Sequence, residues 1–142
     1  MPAETLLSPE DTAAAVTDTA VDVLEKMFYV CTLGPAPEPA PDEASHYVVA
    51  FEGSLNGSFS LSLTPEASAP LASNFLGVDD AAGAEASAMG ELANILCGAA
   101  LSRMYPNGEF QLGAPKPAPA PLEGGVRVSL ELEEGILLAV LR

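Results

Sequence analysis

The first regular pattern of apolar residues in the chain predicts a helix. Apolar side chains recur every three or four positions over residues 16–27, with acidic residues on the other faces. Ser8 and Pro9 precede this stretch and are typical of a helix start, where Ser caps free N–H groups and Pro supplies the required φ. We expect the helix to end within residues 28–33, because the glycine and prolines that follow cannot continue it. Residues 34–44 are therefore predicted to form a stiff, proline-rich surface loop.

Alternation of apolar and polar residues predicts four strands in two pairs. The first pair is residues 46–52 (HYVVAFE) and 54–64 (SLNGSFSLSLT), where Phe and Leu alternate with Ser as in a half-buried antiparallel strand. Residues 126–132 show the same alternation, and residues 136–141 form a fourth strand that is almost entirely apolar. Glycine-containing turn sequences join the members of each pair, so two hairpins are expected.

Two further helices are predicted between the two strand pairs. A short one begins at Pro65 and ends at Gly77, and a longer one follows a cap at Asp79 or Asp80 and runs to about Met104. The resulting order is α-β-β-α-α-β-β. Because hairpin strands and helices occur in separate runs, the sequence predicts an α+β fold, in which an antiparallel β-sheet has helices packed on one face.

The length of the chain fits one domain, here residues 1–142. Alternating Ala and Pro predict a second loop at 113–121, and no internal repeat is evident. The apolar last strand, 136–141, would be a liability at the edge of so small a sheet. We therefore consider that it pairs with a second copy of the chain across a dimer.

Composition and charge narrow the classes of partner. Twenty acidic residues against five basic ones give a net charge of −15, while 49% of the residues are hydrophobic. Such a chain can bury a core, but its charge disfavours nucleic acid and anionic membrane surfaces as partners. No apolar run reaches the roughly 18 residues of a membrane span. We expect no nucleic-acid and no membrane partner, and a protein partner that is cationic where contact is made.

The cysteines and the one histidine do not suggest a metal site. Cys31 and Cys97 lie far apart, and residues 1–9 show no secretory leader, so a reducing cytoplasm with both thiols buried and reduced is expected. A single histidine cannot build a typical metal cluster, so His46 is predicted to be structural. The common motifs of serine hydrolases and nucleotide-binding proteins are also missing.

One segment of the long helix combines an apolar stripe with a polar one. At about 100° per residue, Ser87, Glu91, Asn94 and Gly98 share one face. The opposite stripe consists of Ala88, Leu92, Ile95, Leu96 and Ala99. The missing side chain of Gly98 leaves room for another backbone to approach the polar stripe. A carboxylate beside an amide can bind a cationic group and hold a water molecule, but the two form no nucleophile and base pair.

These residues resemble the motif of the CheC, CheX and FliY phosphatases of bacterial chemotaxis, and most closely that of the CheX-like members with a single site. The family motif is Asp or Ser, three residues, Glu, two residues, Asn, and Pro after 22 more residues. Ser87, Glu91, Asn94 and Pro117 stand at those intervals. Two-site members carry a second Glu-x-x-Asn on the first helix, which is missing here, so one site per chain is expected.

The resemblance implies a phosphatase that hydrolyses the aspartyl phosphate of a CheY-type response regulator and so ends a chemotaxis signal. In this role Asn94 and Glu91 are the catalytic residues: Asn94 positions the attacking water, and Glu91 pairs with the regulator's active-site Lys. Ser87 and Gly98 belong to the partner-binding surface, and Pro117 is a structural part of the motif. The resemblance implies no cofactor of the chain's own, because the regulator supplies Mg²⁺, and it implies a homodimer with sheets extended across the interface.

Two other functions compete with this one. The chain could be a non-catalytic CheX-like adaptor that binds a response regulator or another signalling protein. An independent small-molecule hydrolase is disfavoured, because the sequence offers no nucleophile with a base and no metal ligands. Under the phosphatase hypothesis only Glu91 among the acidic residues has a function, and the others form solvated surface.

Overall fold

The structure, a computed structural model, describes residues 7–76 and 85–142. Within these residues, three helices pack on a seven-stranded antiparallel sheet. In chain order the elements are α1 (Pro9–Met27), β1 (Thr32–Pro35), a 3₁₀ turn (Pro41–Glu43), β2 (Ser45–Gly53), β3 (Gly57–Leu63), α2 (Pro65–Leu76), α3 (Glu85–Met104), β4 (Phe110–Leu112), β5 (Lys116–Ala118), β6 (Val126–Leu132) and β7 (Ile136–Leu141). The predicted α+β class and the order of the main elements are confirmed.

Two short strands lie within or across the segments predicted as loops. β1 includes Pro35, and β5 includes Pro117, which pairs with Tyr47 of β2. Proline cannot donate a backbone hydrogen bond, but a strand at the edge of a sheet needs partners on one side only. Both strands are edge strands, which explains why these proline-containing sequences can join the sheet.

The order of the strands is β1-β6-β7-β3-β2-β4, and β5 also pairs with β2. β7 therefore lies inside the sheet, with β6 along one side and β3 along the other. The prediction that this last strand pairs with a second copy of the chain is wrong. The apolar character of β7 reflects burial inside one domain, because its backbone groups already have partners on both sides.

The helices pack on one face of the sheet and form the main core with it. Val49, Phe59 and Leu61 project from the central strands and are fully buried, as are Leu24 of α1 and Leu92 of α3. Burying side chains of this size contributes about 1.5–3 kcal/mol each. This core fixes α3 rigidly against the sheet, so the outward face of α3 has a defined position.

The other face of the sheet is covered by the two proline-rich segments. Nε2 of His46 donates a hydrogen bond to the carbonyl oxygen of Pro41 (2.7 Å), and its Nδ1 lies 2.6 Å from the Ser62 hydroxyl. The backbone N–H of Leu122, beyond β5, donates to the hydroxyl of Ser60 (3.2 Å). His46, Ser60 and Ser62 are all buried with partners, and His46 is structural as predicted.

A single arginine ties both covering segments to the sheet. The guanidinium of Arg127 on β6 donates two hydrogen bonds to the carboxylate of Glu38, at 2.8 and 2.9 Å. The same guanidinium also donates hydrogen bonds to the carbonyl oxygens of Leu122 (2.6 Å) and Gly124 (3.1 Å). The guanidinium lowers the pKa of Glu38 from its ordinary value. Glu38 therefore stays charged, and the contact holds, at neutral pH.

The start of α1 is confirmed and its end is earlier than the glycine that was expected to stop it. The Ser8 hydroxyl accepts a hydrogen bond from the N–H of Asp11 (3.1 Å). The helix closes at Phe28, and Tyr29 then takes a left-handed conformation with φ of 56°. This conformation redirects the chain towards β1. The predicted stop at Gly77 and the caps at positions 79 and 80 lie outside the described residues.

The two cysteines have different environments, and the prediction that both are buried is wrong. Cys97 on α3 is buried, but Cys31 is exposed. Cys31 lies just before the edge strand β1, where its N–H donates to the carboxylate of Glu133 (3.0 Å). That carboxylate raises the pKa of the Cys31 thiol, which keeps the thiol protonated at neutral pH.

Candidate functional site

Helix α3 positions the candidate residues through its buried side. Its sequence is rich in Ala and Leu, which favour helix, and Arg103 lies in its last turn where the helix dipole favours a cation. Ala88, Leu92 and Leu96 of the predicted apolar stripe are buried, while Ile95 and Ala99 are half-buried at its margin. The helix has an inner and an outer side as predicted, but its buried face is centred on Ala93, Cys97 and Ala100, to one side of the predicted stripe.

The outer side of α3 presents a polar arc that we define as Ser87, Glu91, Asn94 and Gly98. The first three are exposed, and Gly98 is half-buried. At 100° per residue the four positions fall within an arc of about 60°. Glu91 and Asn94 are three residues apart, so their side chains are neighbours on the helix surface. The structure thus brings together all four residues that the sequence predicted for this helix.

Glu91 and Asn94 make no side-chain hydrogen bond or ion pair with the part of the chain that the structure describes. On the adjoining helix α1 the situation differs: the carboxylate of Asp22 lies 2.7 Å from Arg103 and 3.9 Å from Lys26. These cations lower the pKa of Asp22, Arg103 first through its hydrogen bond. Among the described residues, nothing therefore competes with an external partner for the carboxylate and the amide of the polar arc.

The sheet edge runs close to one side of the polar arc. A side-chain carbon placed on Gly90 would lie 3.4 Å from Cγ of Pro115, and one placed on Gly98 would lie 3.6 Å from Cδ2 of Leu112. Gly90 thus faces Pro115, between β4 and β5, and Gly98 faces Leu112, the last residue of β4, so the sheet edge packs next to α3. The sequence predicts that a backbone approaches at Gly98, whereas in the structure the side chain of Leu112 lies there. Pro115 was not foreseen, although Gly90 inside a helix was a signal of close packing.

Pro117 lies on strand β5 and not on α3, and its side chain projects from the face of the sheet that carries the helices. It is exposed and stands opposite Tyr47 on β2. Residues opposite each other in antiparallel strands project from the same face. Tyr47 packs against the core beneath the helices, which places Pro117 on that same face. The proline that contacts α3 at Gly90 is Pro115, two residues earlier.

The side chains at the site offer binding and orientation but no covalent chemistry. Cys97 is the one cysteine on α3, and burial raises its pKa to about 12, so it stays a thiol at neutral pH. Across residues 7–76 and 85–142, His, Cys, Asp and Glu nowhere form a group of three or more that could hold a metal ion. No helix in these ranges is long and apolar enough to cross a membrane. What the arc can do is pair with a cation and hold a water molecule.

Comparison with protein families identifies one match. The model for "Chemotaxis phosphatase CheX" matches residues 46–119, just over half of the chain, and this range contains the whole polar arc and Pro117. Curated protein sequences give no match.

Solved structures with the same fold come from chemotaxis proteins. A CheX from Desulfovibrio desulfuricans is 18% identical, with a TM-score of 0.71 over 93% of this chain and 98% of that one. A chain of the CheX-CheY-BeF3-Mg²⁺ complex from Borrelia burgdorferi is 15% identical, with a TM-score of 0.66 over 91% and 96%. FliY from Thermotoga maritima is 16% identical, with a TM-score of 0.58 over 96% and 91%. At these identities the likeness shows the shared fold.

Proposed function

We propose that this chain, which belongs to the CheX family of chemotaxis phosphatases, accelerates hydrolysis of the aspartyl phosphate on a CheY-type response regulator. The observation that carries the proposal is the pair of exposed side chains Glu91 and Asn94 on a packed helix, neither of which has a side-chain partner within residues 7–76 and 85–142. A relative with the same fold has been solved in a complex with CheY, BeF3 and Mg²⁺. The proposed partner acts in the cytoplasm, where this chain would then also act.

The reaction asks little of the phosphatase beyond correct placement of groups. An aspartyl phosphate is an acyl phosphate and is already activated, and the regulator contributes its own Mg²⁺ and Lys to neutralise charge. What is missing is a water held in line with the bond that breaks. The amide of Asn94 can accept a hydrogen bond from that water and donate one to the phosphoryl group, without any change in its own protonation.

Glu91 serves to align the two proteins. Its carboxylate would pair with the Lys of the regulator, one helical turn from the amide of Asn94, so that docking and water placement are coupled. Ser87 and Gly98 extend the contact along the same arc, and Pro117 shapes the neighbouring edge strand. The net charge of −15 slows encounter with another acidic protein, but the contact itself joins a carboxylate to a cation.

The decisive test is the decay of phosphorylated regulator. Each CheY-type regulator of the source organism is phosphorylated with a small phosphodonor, and its decay is followed with and without this chain, and with Asn94→Ala and Glu91→Ala. We expect faster decay with the wild type and little acceleration with Asn94→Ala. Equal rates with wild type and Asn94→Ala would refute the phosphatase. Binding without acceleration would instead support a CheX-like adaptor.

We also propose that the chain forms a homodimer, as the family resemblance implies. β7 cannot provide the contact, since both its sides are paired. The sheet ends at β1 on one side and at β4 and β5 on the other. The edge at β1 carries the exposed side chain of Leu33 and one proline, Pro35, at its end, whereas prolines stand at 115, 117 and 119 along the edge at β5, so β1 is the better candidate for pairing. Light scattering after gel filtration of wild type and Leu33→Asp tests this: the wild type should be a dimer and the variant a monomer.

A further inference from the structure

An apolar ledge runs beside the polar arc of α3, formed by Leu112, Pro115 and Pro117. Leu112 stands opposite Phe51 in the sheet, and Phe51 belongs to the core beneath the helices, so Leu112 projects from the helix-bearing face. Pro117 projects from the same face. Leu112 and Pro115 are half-buried and Pro117 is exposed, so part of each side chain remains open to a partner.

Two glycines of α3 set how close the ledge lies to the arc. A side-chain carbon placed on Gly90 would lie 3.4 Å from Pro115, and one placed on Gly98 would lie 3.6 Å from Leu112. Both are ordinary packing distances. A methyl group at either glycine would therefore be in ordinary contact with Pro115 or Leu112, and these two residues of the ledge lie directly beside the helix. Because the sheet holds the ledge and the core holds α3, the height of the ledge relative to Asn94 is fixed.

The polar arc alone is too small to be the whole binding surface. A specific protein interface buries about 800 Å² on each partner, which needs roughly 20 residues, and the arc has four. The interface must continue onto a neighbouring surface. On the side of α1 that surface carries the charged group of Asp22, Lys26 and Arg103, whose charges already neutralise one another in part. On the other side it carries the ledge, and the buried centre of an interface is depleted in charge.

We propose that the ledge is a docking contact for the response regulator and determines which regulator binds, while the arc performs the chemistry. The inference rests on the proposed function and deepens it. It requires a regulator with an apolar patch next to its active-site Lys, so that one approach seats both the carboxylate of Glu91 and the ledge. A regulator with a charged group at that place would lose affinity, because the ledge would leave that charge desolvated without a partner.

The test separates docking from chemistry by measuring kcat and KM for phosphorylated regulator. Leu112→Ser and Pro115→Ser are compared with Gln111→Ala, which changes an exposed neighbour that stands opposite Glu52 and projects from the other face of the sheet. We expect each ledge variant to raise KM about tenfold at unchanged kcat, the size typical of an interface residue worth more than 1 kcal/mol. Gln111→Ala should leave both constants unchanged.

Leu112 also packs on the core, so thermal unfolding is measured for each variant, and Pro115→Ser provides the independent case. Binding to the regulator activated with beryllofluoride is measured in parallel. If the wild type accelerates decay and both ledge variants keep the wild-type KM, the docking role of the ledge is refuted and the proposed phosphatase activity is supported. If the wild type binds without accelerating decay and the variants bind more weakly, the docking role of the ledge is supported and the proposed phosphatase activity is refuted. A wild type that neither binds nor accelerates decay overturns both.

Discussion

Helices α1 and α3 carry the same spacing of polar residues on their outer sides, four positions and then three. The residues are Asp18, Asp22 and Glu25 on α1, and Ser87, Glu91 and Asn94 on α3. On α1 the central carboxylate is held by Arg103 and Lys26. On α3 the corresponding carboxylate has no partner among the described residues, and the last position is an amide.

The difference shows that spacing alone does not make a site. A carboxylate that already holds two cations of its own chain has little left to offer a partner, and it contributes to helix packing instead. A free carboxylate beside an amide can engage a cation and a water molecule outside the chain. On one helix the central carboxylate is paired within the chain, and on the other it has no partner among the described residues, although both helices look alike as patterns of polar residues.

The largest effect is expected from Asn94. Under the proposed function, Asn94→Ala removes the group that positions the water, and misplaced water costs about 100-fold in kcat for the phosphorylated regulator. The matched variant on α1 is Glu25→Ala, at the equivalent spacing, which should keep full activity. Both are measured by the decay of phosphorylated regulator at saturating concentration. A comparable loss in the two variants would remove the distinction between the helices.

A smaller effect is expected from the central carboxylates. Glu91→Ala should raise KM about tenfold, because the regulator's Lys loses its partner, whereas Asp22→Ala should leave KM unchanged. The comparison is made at low and high salt. The gap between wild type and Glu91→Ala should narrow at high salt, since ions screen an exposed charge pair. A KM that rises with Asp22→Ala would place α1 in the interface.

Asp22 should instead affect stability, and only slightly. Its pKa lies below the ordinary value of 3.8 because Arg103 and Lys26 favour the charged form. A depressed pKa in the folded state stabilises the protein above the unfolded-state pKa, and this contribution is lost as the pH falls through the folded-state pKa. Asp22→Asn should therefore lower Tm by a small amount at pH 7. In thermal unfolding below pH 3.8 the difference from wild type should shrink; a constant difference would contradict the ion-pair explanation.

No effect is expected when the motif is copied to α1. In the inactive Asn94→Ala background, Asp22→Glu with Glu25→Asn creates Glu-x-x-Asn on α1. Arg103 and Lys26 remain within reach of the new carboxylate, so we expect no recovery of phosphatase activity. Adding Arg103→Ala and Lys26→Ala to this variant tests whether the partners are the reason. Recovery in the first variant would show that spacing is sufficient after all.

The sequence predicted the polar arc of α3 well because its features are local. The 100° periodicity alone places Ser87, Glu91, Asn94 and Gly98 on one side, and no distant contact is needed to see it. The position of β7 depends on pairing with β3 across more than seventy residues, which no local pattern encodes. Cys31 was expected to be buried from its residue type, but its exposure follows from its place before an edge strand. The ledge could not be predicted, because only the pairing of strands in the sheet brings Leu112 and Pro115 next to α3.

The cover formed by the two proline-rich segments has a consequence for how this chain can tolerate changes of length. Segments of this composition are ordinarily the places where insertions and deletions are accepted. Here the register of the backbone places Pro41 over His46 and Leu122 over Ser60. The guanidinium of Arg127 also binds both segments, through Glu38 in one and Leu122 in the other. Adding or removing one residue would leave buried hydroxyl and imidazole groups without partners, so the two stretches that look most like linkers should behave as fixed-length parts of the protein.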